Sequence, residues 1–375
     1  MDIKCIDPAD GISRCVIVGP AALVHTAQLM AASGTGDVAG TLSDQLKTVL
    51  ANTDAALRQG GSSLAQAVKL NVYVTQDDAT LEVRAALARA FPSAHQPAVT
   101  CVTTALPSPK ALVAMDAVGF GNEEPDGANT AVKIGGRVGR AAAVLPAGPR
   151  VYISGQAEKG DGSLADATAQ TLASLGRTLE FLGLKKEHAV QVKCFLAPMA
   201  KFSEAERAIE AFFGEKNAPP CAFVEWSSNL PIEIEMIVSG SGNAALAQGP
   251  SVEVRTPPGM TTPPIYSRLT IARHPSTIYT SGIYPGDGKA APETQLRSLF
   301  RNLKQALDAS GSDWMHLVKA TYYVSDDELS KWHNTVRPDY FSPRRPPAAS
   351  KAKVIGVGLA GHGITMDFIA VPGEP

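Results

Sequence analysis

Lysines recur along the chain at nearly equal intervals. Positions 69, 193 and 319 are about 125 residues apart, and a valine precedes each lysine. Ammonium groups brought close together repel one another unless they are solvated, paired with acids or deprotonated, and a deprotonated amine can act as base or nucleophile. Lys69, Lys193 and Lys319 are therefore either scaffold residues or substrate-binding residues, and Lys193 is the candidate for catalysis.

Arginines recur in the same way, 12 to 14 residues before a small hydroxyl-bearing residue. The arginines are Arg14, Arg140 and Arg268, and the hydroxyl-bearing residues are Thr26, Ser154 and Ser281. A planar guanidinium suits a carboxylate because it donates two parallel hydrogen bonds. The spacing predicts that these residues bind an anionic or carbonyl-rich small molecule. Salt bridges between the repeated units are the alternative interpretation.

An acid and a thiol in the second copy of this pattern are further candidates. Glu233 belongs to an alternating Ile-Glu-Ile-Glu run, and a carboxyl group in a partly apolar cleft can serve as general acid or base. Cys221 would need a neighbouring base or cation to form a thiolate, so it is either a cleft residue or a small buried one. The seven histidines and five cysteines show no metal-ligand spacing, so no metal site is expected.

The elements that position these residues occur three times. In each copy a strand carries the hydroxyl-bearing residue, an amphipathic helix follows, the Val-Lys strand and a second helix come next, and two strands close the unit. Apolar residues three and four positions apart, such as Leu172, Leu175 and Leu179, indicate the first helix. The predicted boundaries are 1–118, 132–239 and 265–375 for the copies, and 119–131 and 240–264 for Gly/Pro-rich linkers.

The order β-β-α-β-α-β-β predicts an α+β fold with mixed sheets and helices on one face of each sheet. Alternation along the Val-Lys strand places Val68 and Leu70 on one side, suited to the helices, and Lys69 and Asn71 on the other. Three such half-polar faces can be buried against one another as a closed ring. We therefore predict an intramolecular pseudo-trimer with clefts between its units.

Composition limits the classes of function that are open. Hydrophobic residues make up 45% of the chain and charged residues 19%, which is typical of a globular protein. A net charge of −2 provides no basic field for nucleic acid, and no stretch is long and apolar enough for a membrane span. The unpaired cysteine pattern favours a reduced, cytoplasmic chain. We expect a small-molecule substrate, no nucleic-acid or membrane partner, and a monomer, because the trimer lies within one chain.

Three stretches of the second copy carry a family resemblance: VYISGQAEKG from Val151, VQVKCFLAPM from Val190 and LPIEIEMIVSG from Leu230. TSGIYPGDG and VKATYYVSDD in the third copy are similar, and PAVTCV in the first keeps the closing outline. The chain thus resembles the RidA/YjgF/UK114 family of reactive-intermediate deaminases. The resemblance implies a chorismate-mutase-like fold, trimeric assembly, and small-molecule clefts between neighbouring subunits.

The resemblance also implies two site residues. In active members an arginine after a Pro-Ala pair holds the substrate carboxylate, and a glutamate of the closing strands positions the water that hydrolyses an imine. The arginine positions of this chain hold Val99, Cys221, and Ala349 or Ser350. The glutamate is kept only as Glu233.

The Ser-Gly-Gln element of the family is complete in the second copy, as Ser154, Gly155 and Gln156. It is partial in the third copy, as Ser281 and Gly282, and altered in the first, where Thr26 is followed by alanine. Among the three copies the second is therefore best equipped, through Arg140, Ser154, Gly155, Gln156 and Glu233.

These observations predict a deaminase-like hydrolase acting on C–N bonds. Its substrate would be a small polar metabolite, anionic or bearing an amide or imine, bound in a cleft between repeats without a cofactor. Two alternatives remain open. One is a non-catalytic metabolite-binding or regulatory protein. The other is a ring-opening amidohydrolase of the cyanuric acid hydrolase/barbiturase type, which uses one lysine and one serine per repeat.

Overall fold

The computed structural model describes residues 3–32, 38–92, 95–121, 140–214 and 216–373. Within these residues the chain forms 18 strands. In chain order they are β1 (Ile3–Ile6), β2 (Cys15–Val18), β3 (Ala22–Thr26), β4 (Leu29–Met30), β5 (Ala67–Val74), β6 (Ala98–Thr103), β7 (Val113–Gly121), β8 (Ala142–Leu145), β9 (Arg150–Gln156), β10 (Ala189–Leu196), β11 (Cys221–Glu225), β12 (Ile232–Ser239), β13 (Val252–Arg255), β14 (Leu269–Ala272), β15 (Thr277–Thr280), β16 (Leu317–Val324), β17 (Ala348–Lys353) and β18 (Ile364–Ala370).

Seven α-helices accompany these strands in the described residues. They are α1 (Leu42–Gln59), α2 (Ala79–Ala90), α3 (Leu164–Phe181), α4 (Phe202–Phe213), α5 (Ala244–Ala247), α6 (Pro292–Ala309) and α7 (Asp327–Val336). Local sequence sets their ends: Thr41 and Asp44 form a capping box at α1, and Ser163 caps α3 by accepting from the Asp166 amide. Gly183 and Gly311 follow α3 and α6 with positive φ, which glycine adopts without steric cost.

The strands form three mixed sheets, each with helices, which confirms the predicted α+β fold. The first sheet has the order β6-β5-β7-β3-β8, with β4 pairing with β7; the second has the order β11-β10-β12-β9-β14-β13; and the third has the order β1-β2-β15-β18-β16-β17. In each sheet one pair is parallel, for example β10 with β11, and the neighbouring pairs are antiparallel.

Each sheet is completed by strands from the next repeat. β8 pairs with β3, β14 pairs with β9, and β2 pairs with β15. The connections 19–21, 146–149 and 273–276 are short, and each leads from one sheet into the next instead of closing a hairpin within its own sheet. The three units are therefore joined by backbone hydrogen bonds as well as by the chain.

Of the two segments predicted as linkers, one contains regular secondary structure and the other lies mostly outside the described residues. Segment 240–264 contains α5 and β13, and β13 pairs with β14 at the edge of the second sheet. In segment 119–131 the first three residues belong to β7. Residues 122–131 lie outside the described residues, as do residues 132–139 of the second predicted copy.

The core has two parts. Each unit buries apolar residues between its sheet and its helices, including Leu172, Leu175 and Leu179 of the predicted α3 stripe. A further cluster joins all three units at the centre of the ring, with Val68, Val190 and Val318 among its members. Val68 therefore lies on the central side and not on the predicted helix side. The cause is a β-bulge before Lys69, since an extra residue in a strand inverts the alternation locally.

None of the helices in the described part of the chain combines the length and hydropathy that a membrane crossing needs.

Candidate functional site

A cleft between the second and third units contains an acid and two cationic side chains. It has a volume of about 170 Å³ and lies where β9 and β12 meet β16 and β17. Its lining residues are Gly155, Glu233, Tyr266, Tyr322, Arg337, Ala349, Ser350 and Lys351. We call it the Glu233 cleft. Gly155 and Glu233 are the members of the predicted site that line it.

Glu233 enters the cleft because its neighbour on β9 has no side chain. A Cβ on Gly155 would lie 2.0 Å from Oε1 of Glu233, which no real contact allows. Oε1 is buried and has no hydrogen-bond partner. Burial, assisted by the negative charge of Glu235, raises the pKa of Glu233 to about 7, while Ser350 and Lys319 act in the opposite direction. The carboxyl group can therefore both hold and release a proton near neutral pH.

Arg337 supplies a guanidinium to the same cleft from a short 3₁₀ turn, Arg337–Asp339, directly after α7. The residue is only 5% exposed, and its guanidinium carbon lies 5.2 Å from the ring centroid of Tyr322. Its Nε is buried without a hydrogen-bond partner. A buried cation without a carboxylate partner is costly, so this position is suited to an anion. Sequence reasoning missed Arg337, whose place depends on the packing of α7 against the sheet.

Lys351 is the second cation of the cleft, and sequence reasoning missed it too. It lies on β17 next to Tyr322 of β16 in the parallel pair. Its Nζ donates to Oγ of Ser330 at 3.1 Å and to Oδ1 of Asn334 at 2.9 Å, both on α7. Burial, followed by the charge of Arg337, lowers the pKa of Lys351 to about 8.

The other predicted members of the second-copy site have structural contacts. Oγ of Ser154 donates to the Ser267 carbonyl and accepts from the Ala349 amide at 2.8 Å, so it joins the two units beside the cleft. Nε2 of Gln156 donates to Oγ1 of Thr178 on α3, at 2.8 Å, on the helix side of the sheet. Neither side chain is among those that line the Glu233 cleft.

The three recurring arginines do not line this cleft either. Arg14 is paired with Asp7 at 3.1 Å and is about half exposed. The guanidinium of Arg268 lies over the Tyr266 ring, 5.4 Å from its centroid, and donates to Thr261. Arg140 is partly buried, with Nε unpartnered.

Hydrogen bonds between units correct the predicted alignment of these residues. The carbonyls of Arg14 and Arg268 accept from the amides of Ser281 and Ser154. At the remaining interface the equivalent bond joins the carbonyl of Ala141 to the amide of Ala27. Arg140 and Thr26 are therefore each one residue out of register with their supposed counterparts. The backbone register, and not the residue type, defines equivalence.

In the described part of the chain, side chains and backbone occupy the interface between the first and second units. Nε2 of Gln28 donates to the Phe223 carbonyl at 2.9 Å, and Oε1 accepts from the Phe223 amide at 3.2 Å, so the side chain seals the edge of β11. The amide of Gln28 also donates to the carbonyl of Cys221. The thiol of Cys221 donates to the Pro219 carbonyl at 3.1 Å. Ala114 occupies the glutamate position.

The described residues also fill the interface between the third and first units. Oγ of Ser281 donates to the Ser13 carbonyl, and the amide of Gly282 donates to the Val99 carbonyl. The Tyr284 side chain packs over Gly282 and donates to the Val357 carbonyl at 2.7 Å. Thr365 occupies the glutamate position there.

The recurring lysines lie at the centre of the ring, in a cavity of about 40 Å³ that we call the axial cavity. Lys69 is 5% exposed, and Lys193 and Lys319 are each 7% exposed. The pairing register again corrects the sequence alignment. Glu235 faces Lys193, whereas the matching acid Asp116 faces Asn71. Lys193 is thus equivalent to Asn71, and Gln191 is the true counterpart of Lys69.

Acids from neighbouring units balance this charge. The contacts that cross between units are Lys69 with Asp367 at 3.4 Å, Lys319 with Glu235 at 2.9 Å, and Gln191 with Asp116 at 3.4 Å. Burial lowers the pKa of Lys69. For Lys193 burial is outweighed by the phenol and carboxyl groups around it, which include Tyr323 and Asp116, and the pKa is raised. The axial cavity is therefore a charge-balanced joint between the units.

The axial cavity does not combine the lysines with the repeated serines. Neither Ser154 nor Ser281 lines it, and its volume is close to that of one or two water molecules. Among the described residues, the structure therefore does not bring one lysine and one serine per repeat together around a space that fits a cyclic substrate. His25 also lines this cavity, and burial lowers its pKa to about 4.

Comparison with known proteins places these units in a family. The family model described as Endoribonuclease L-PSP matches three times, at residues 5–120, 138–239 and 261–371. No curated protein is significantly similar to the chain.

Solved structures of single units resemble parts of the chain. A protein of the conserved Rid family from Yersinia pestis is 27% identical, covers 32% of this chain and 99% of its own, and has a TM-score of 0.29. A YjgF-family protein from Neisseria meningitidis is 18% identical, covers 33% and 97%, and has a TM-score of 0.25. A putative endoribonuclease from Thermotoga maritima is 26% identical, covers 26% and 80%, and has a TM-score of 0.24. The three matches to the family model span most of the sequence, and the chain belongs to the RidA/YjgF family, with three tandem copies of its unit.

Proposed function

We propose that the Glu233 cleft hydrolyses the C=N bond of a small anionic imine. The observation that carries the proposal is the meeting of one titratable carboxyl with two cations in a single pocket. Arg337 and Lys351 have no carboxylate within salt-bridge distance among the described residues, so an anionic ligand would neutralise charge that is otherwise unpaired. A volume of about 170 Å³ suits a metabolite of a few heavy atoms.

Arg337 takes the role of the carboxylate-binding arginine that the sequence lacks after its Pro-Ala pairs. Its guanidinium lies over the ring of Tyr322, and its Nε–H, which has no hydrogen-bond partner, can donate to a carboxylate. The position differs from the one that the resemblance implies, because Arg337 comes from the end of α7 and not from β17. The two positions converge on the same cleft, since Ala349 also lines it.

Glu233 is suited to move the protons of the reaction. Ionised, it takes a proton from water as the water oxygen attacks the imine carbon. Protonated, it returns that proton to the nitrogen, which gives a carbinolamine. The same carboxylate then takes the hydroxyl proton of the carbinolamine and delivers it to the nitrogen as the C–N bond breaks, so ammonia leaves and a carbonyl group remains. A pKa of about 7 makes both forms available at neutral pH.

The test is turnover of an imine that an amino-acid oxidase generates in situ from alanine. Turnover is measured as the rate at which the 2-oxo acid forms. We expect the protein to accelerate hydrolysis over buffer, Glu233→Gln to lower kcat/KM by about 100-fold or more, and Arg337→Gln to raise KM. Arg58→Gln, at an exposed arginine of α1 paired with Asp54, is the matched control and should have no effect.

No acceleration by the wild type, or full activity in Glu233→Gln, would contradict the proposal. A carboxylate that binds without turnover, and whose binding Arg337→Gln abolishes, would instead support the non-catalytic metabolite-binding alternative. Thermal unfolding of Arg337→Gln and Arg337→Lys distinguishes loss of the buried charge from loss of the fold. Recovery of binding in the lysine variant would assign the effect to charge.

A further inference from the structure

Lys351 has surroundings that differ from those of the other lysine on its strand face. Its Nζ contacts only neutral acceptors, Oγ of Ser330 at 3.1 Å and Oδ1 of Asn334 at 2.9 Å, apart from a longer contact with a carbonyl. Lys353, two residues along β17, is paired with Asp327 at 2.7 Å. Only Lys351 lines the Glu233 cleft. Lys351 therefore lines the ligand space, and its amine has no acid within salt-bridge distance among the described residues to hold it in the charged form.

A neighbouring cation adds to this effect. Arg337 and Lys351 are both packed around Tyr322, the one over its ring and the other beside it in the sheet. Like charges at this range disfavour a second positive charge, as does burial. With a pKa of about 8, roughly a tenth of the amine is neutral at pH 7 and half at pH 8. A desolvated lysine next to another cation is the arrangement that activates amines towards carbonyl carbon.

We propose that Lys351 is a covalent nucleophile that forms a Schiff base with small 2-oxo acids and their imines, with Arg337 on the carboxylate and Glu233 moving the protons. This inference rests on the proposed function and refines its order of steps: the Lys351 amine attacks the C=N carbon of the substrate first, and the attack by water then falls on the Schiff base with Lys351. It adds a carbonyl substrate class, 2-oxo acids, to the same cleft.

The step balances without an oxidant or reductant. The neutral amine of Lys351 adds to the iminium carbon, forming a C–N bond and a tetrahedral diamine. Proton transfer through Glu233 places a proton on the substrate nitrogen, the original C–N bond breaks, and ammonia leaves. Water then adds to the resulting Schiff base and the carbon–lysine bond breaks. A 2-oxo acid and the free amine are restored. In the reverse direction, a 2-oxo acid and the amine form the Schiff base and release water.

The experiment is borohydride trapping with pyruvate, followed by peptide mass mapping, alongside the imine-hydrolysis assay. Reduction of the Schiff base fixes one carboxyethyl group on the amine. We expect the adduct on Lys351 in the wild type. Lys351→Arg keeps the charge but not the nucleophile, so trapping and hydrolysis should each fall by about tenfold or more. Lys353→Arg is the matched control and should match the wild type in both assays.

The outcomes separate the two proposals. Hydrolysis without an adduct on Lys351, or full hydrolysis in Lys351→Arg, would overturn the covalent role and leave the proposed function standing. An adduct on Lys351 without imine hydrolysis would support the reactive amine and contradict the hydrolytic function. Neither adduct nor hydrolysis would overturn both. An adduct that is lost in Glu233→Gln while the fold is retained would further support proton transfer by Glu233.

Discussion

Replacing Glu233 by glutamine should stabilise the protein strongly above neutral pH and only slightly near pH 5. The folded state holds the Glu233 carboxyl in a cleft where Oε1 is buried without a hydrogen-bond donor. Burial there favours the neutral form, so the folded state binds this proton more tightly than the unfolded chain does. The free energy of unfolding of the wild type therefore decreases as pH rises through the range in which the unfolded chain has lost this proton and the folded state still holds it.

The magnitude follows from the pKa of Glu233. It rises from 4.5 to about 7 on folding, and each pKa unit corresponds to about 1.4 kcal/mol. The free energy of unfolding should therefore decrease as pH increases from 4.5 to 7, by at most about 3.5 kcal/mol, and stay at the lower level above pH 7. Glutamine has no proton to lose, so the difference between Glu233→Gln and the wild type should appear over that same window.

Urea denaturation at about pH 5 and about pH 8 measures this difference. Glu180→Gln, at an exposed glutamate of α3, is the control for the loss of a carboxylate as such. We expect Glu233→Gln to exceed the wild type in unfolding free energy by about 3 kcal/mol at pH 8 and by less than about 1 kcal/mol at pH 5, and Glu180→Gln to follow the wild type at both values. A gap of equal size at both pH values, or a gap only at pH 5, would refute the assignment of a raised pKa to Glu233.

Two further predictions concern the cleft and the axial cavity. Gly155→Ala would place a Cβ 2.0 Å from Oε1 of Glu233, so we expect imine hydrolysis to fall about tenfold or more without unfolding, while Gly286→Ala, where a Cβ meets no atom, should leave the rate unchanged. Lys319→Met would leave Glu235 buried without its ion-pair partner and should lower the free energy of unfolding by about 3–5 kcal/mol in urea titrations, with much of the loss recovered by a second change, Glu235→Leu.

Element order and the threefold repeat could be predicted from sequence because their signals are local. The stripe through Leu172, Leu175 and Leu179 and the glycine after it define α3 within a few residues, and the same signals recur in the other copies. The central cluster could also be predicted, because a half-polar strand face has to be covered by another part of the protein. Local periodicity therefore sufficed for the elements that recur in each copy, but not for α5 and β13, which lie in the segment predicted as a linker.

The register of strand pairing could not be predicted from such local signals. Lys193 aligns by residue type with Lys69, but the pairing with the closing strand makes Gln191 the counterpart. Residues two apart on a strand share a face, so either alignment puts a polar group towards the axis. At Thr26, in the same way, residue type suggested equivalence with Ser154, and only the bond from Ala27 to the neighbouring unit reveals the shift by one. Which residues are equivalent in the three copies therefore depends on hydrogen-bonding partners that are distant in sequence.

The cations of the Glu233 cleft escaped prediction for a related reason. Arg337 and Lys351 are single residues without a counterpart in the other copies, so a comparison of the three copies could not identify them as site residues. Alternation in β17 marks Lys351 as facing the same side as Ala349, a position the family resemblance had already singled out. That signal was available from the sequence. For Arg337 no local pattern exists, because its burial depends on how α7 ends against Tyr322.

Covalent linkage of the units accounts for the inequality of the three interfaces. In a trimer of identical chains any substitution appears at all three clefts, so a residue that fills a cleft removes every site. In this chain Gln28 seals one interface with two hydrogen bonds and Tyr284 packs into another, and neither residue lines the Glu233 cleft. A buried carboxyl costs folding free energy, whereas satisfied hydrogen bonds and packed rings contribute to it. Filling two interfaces can thus offset the cost of keeping the third one open and charged.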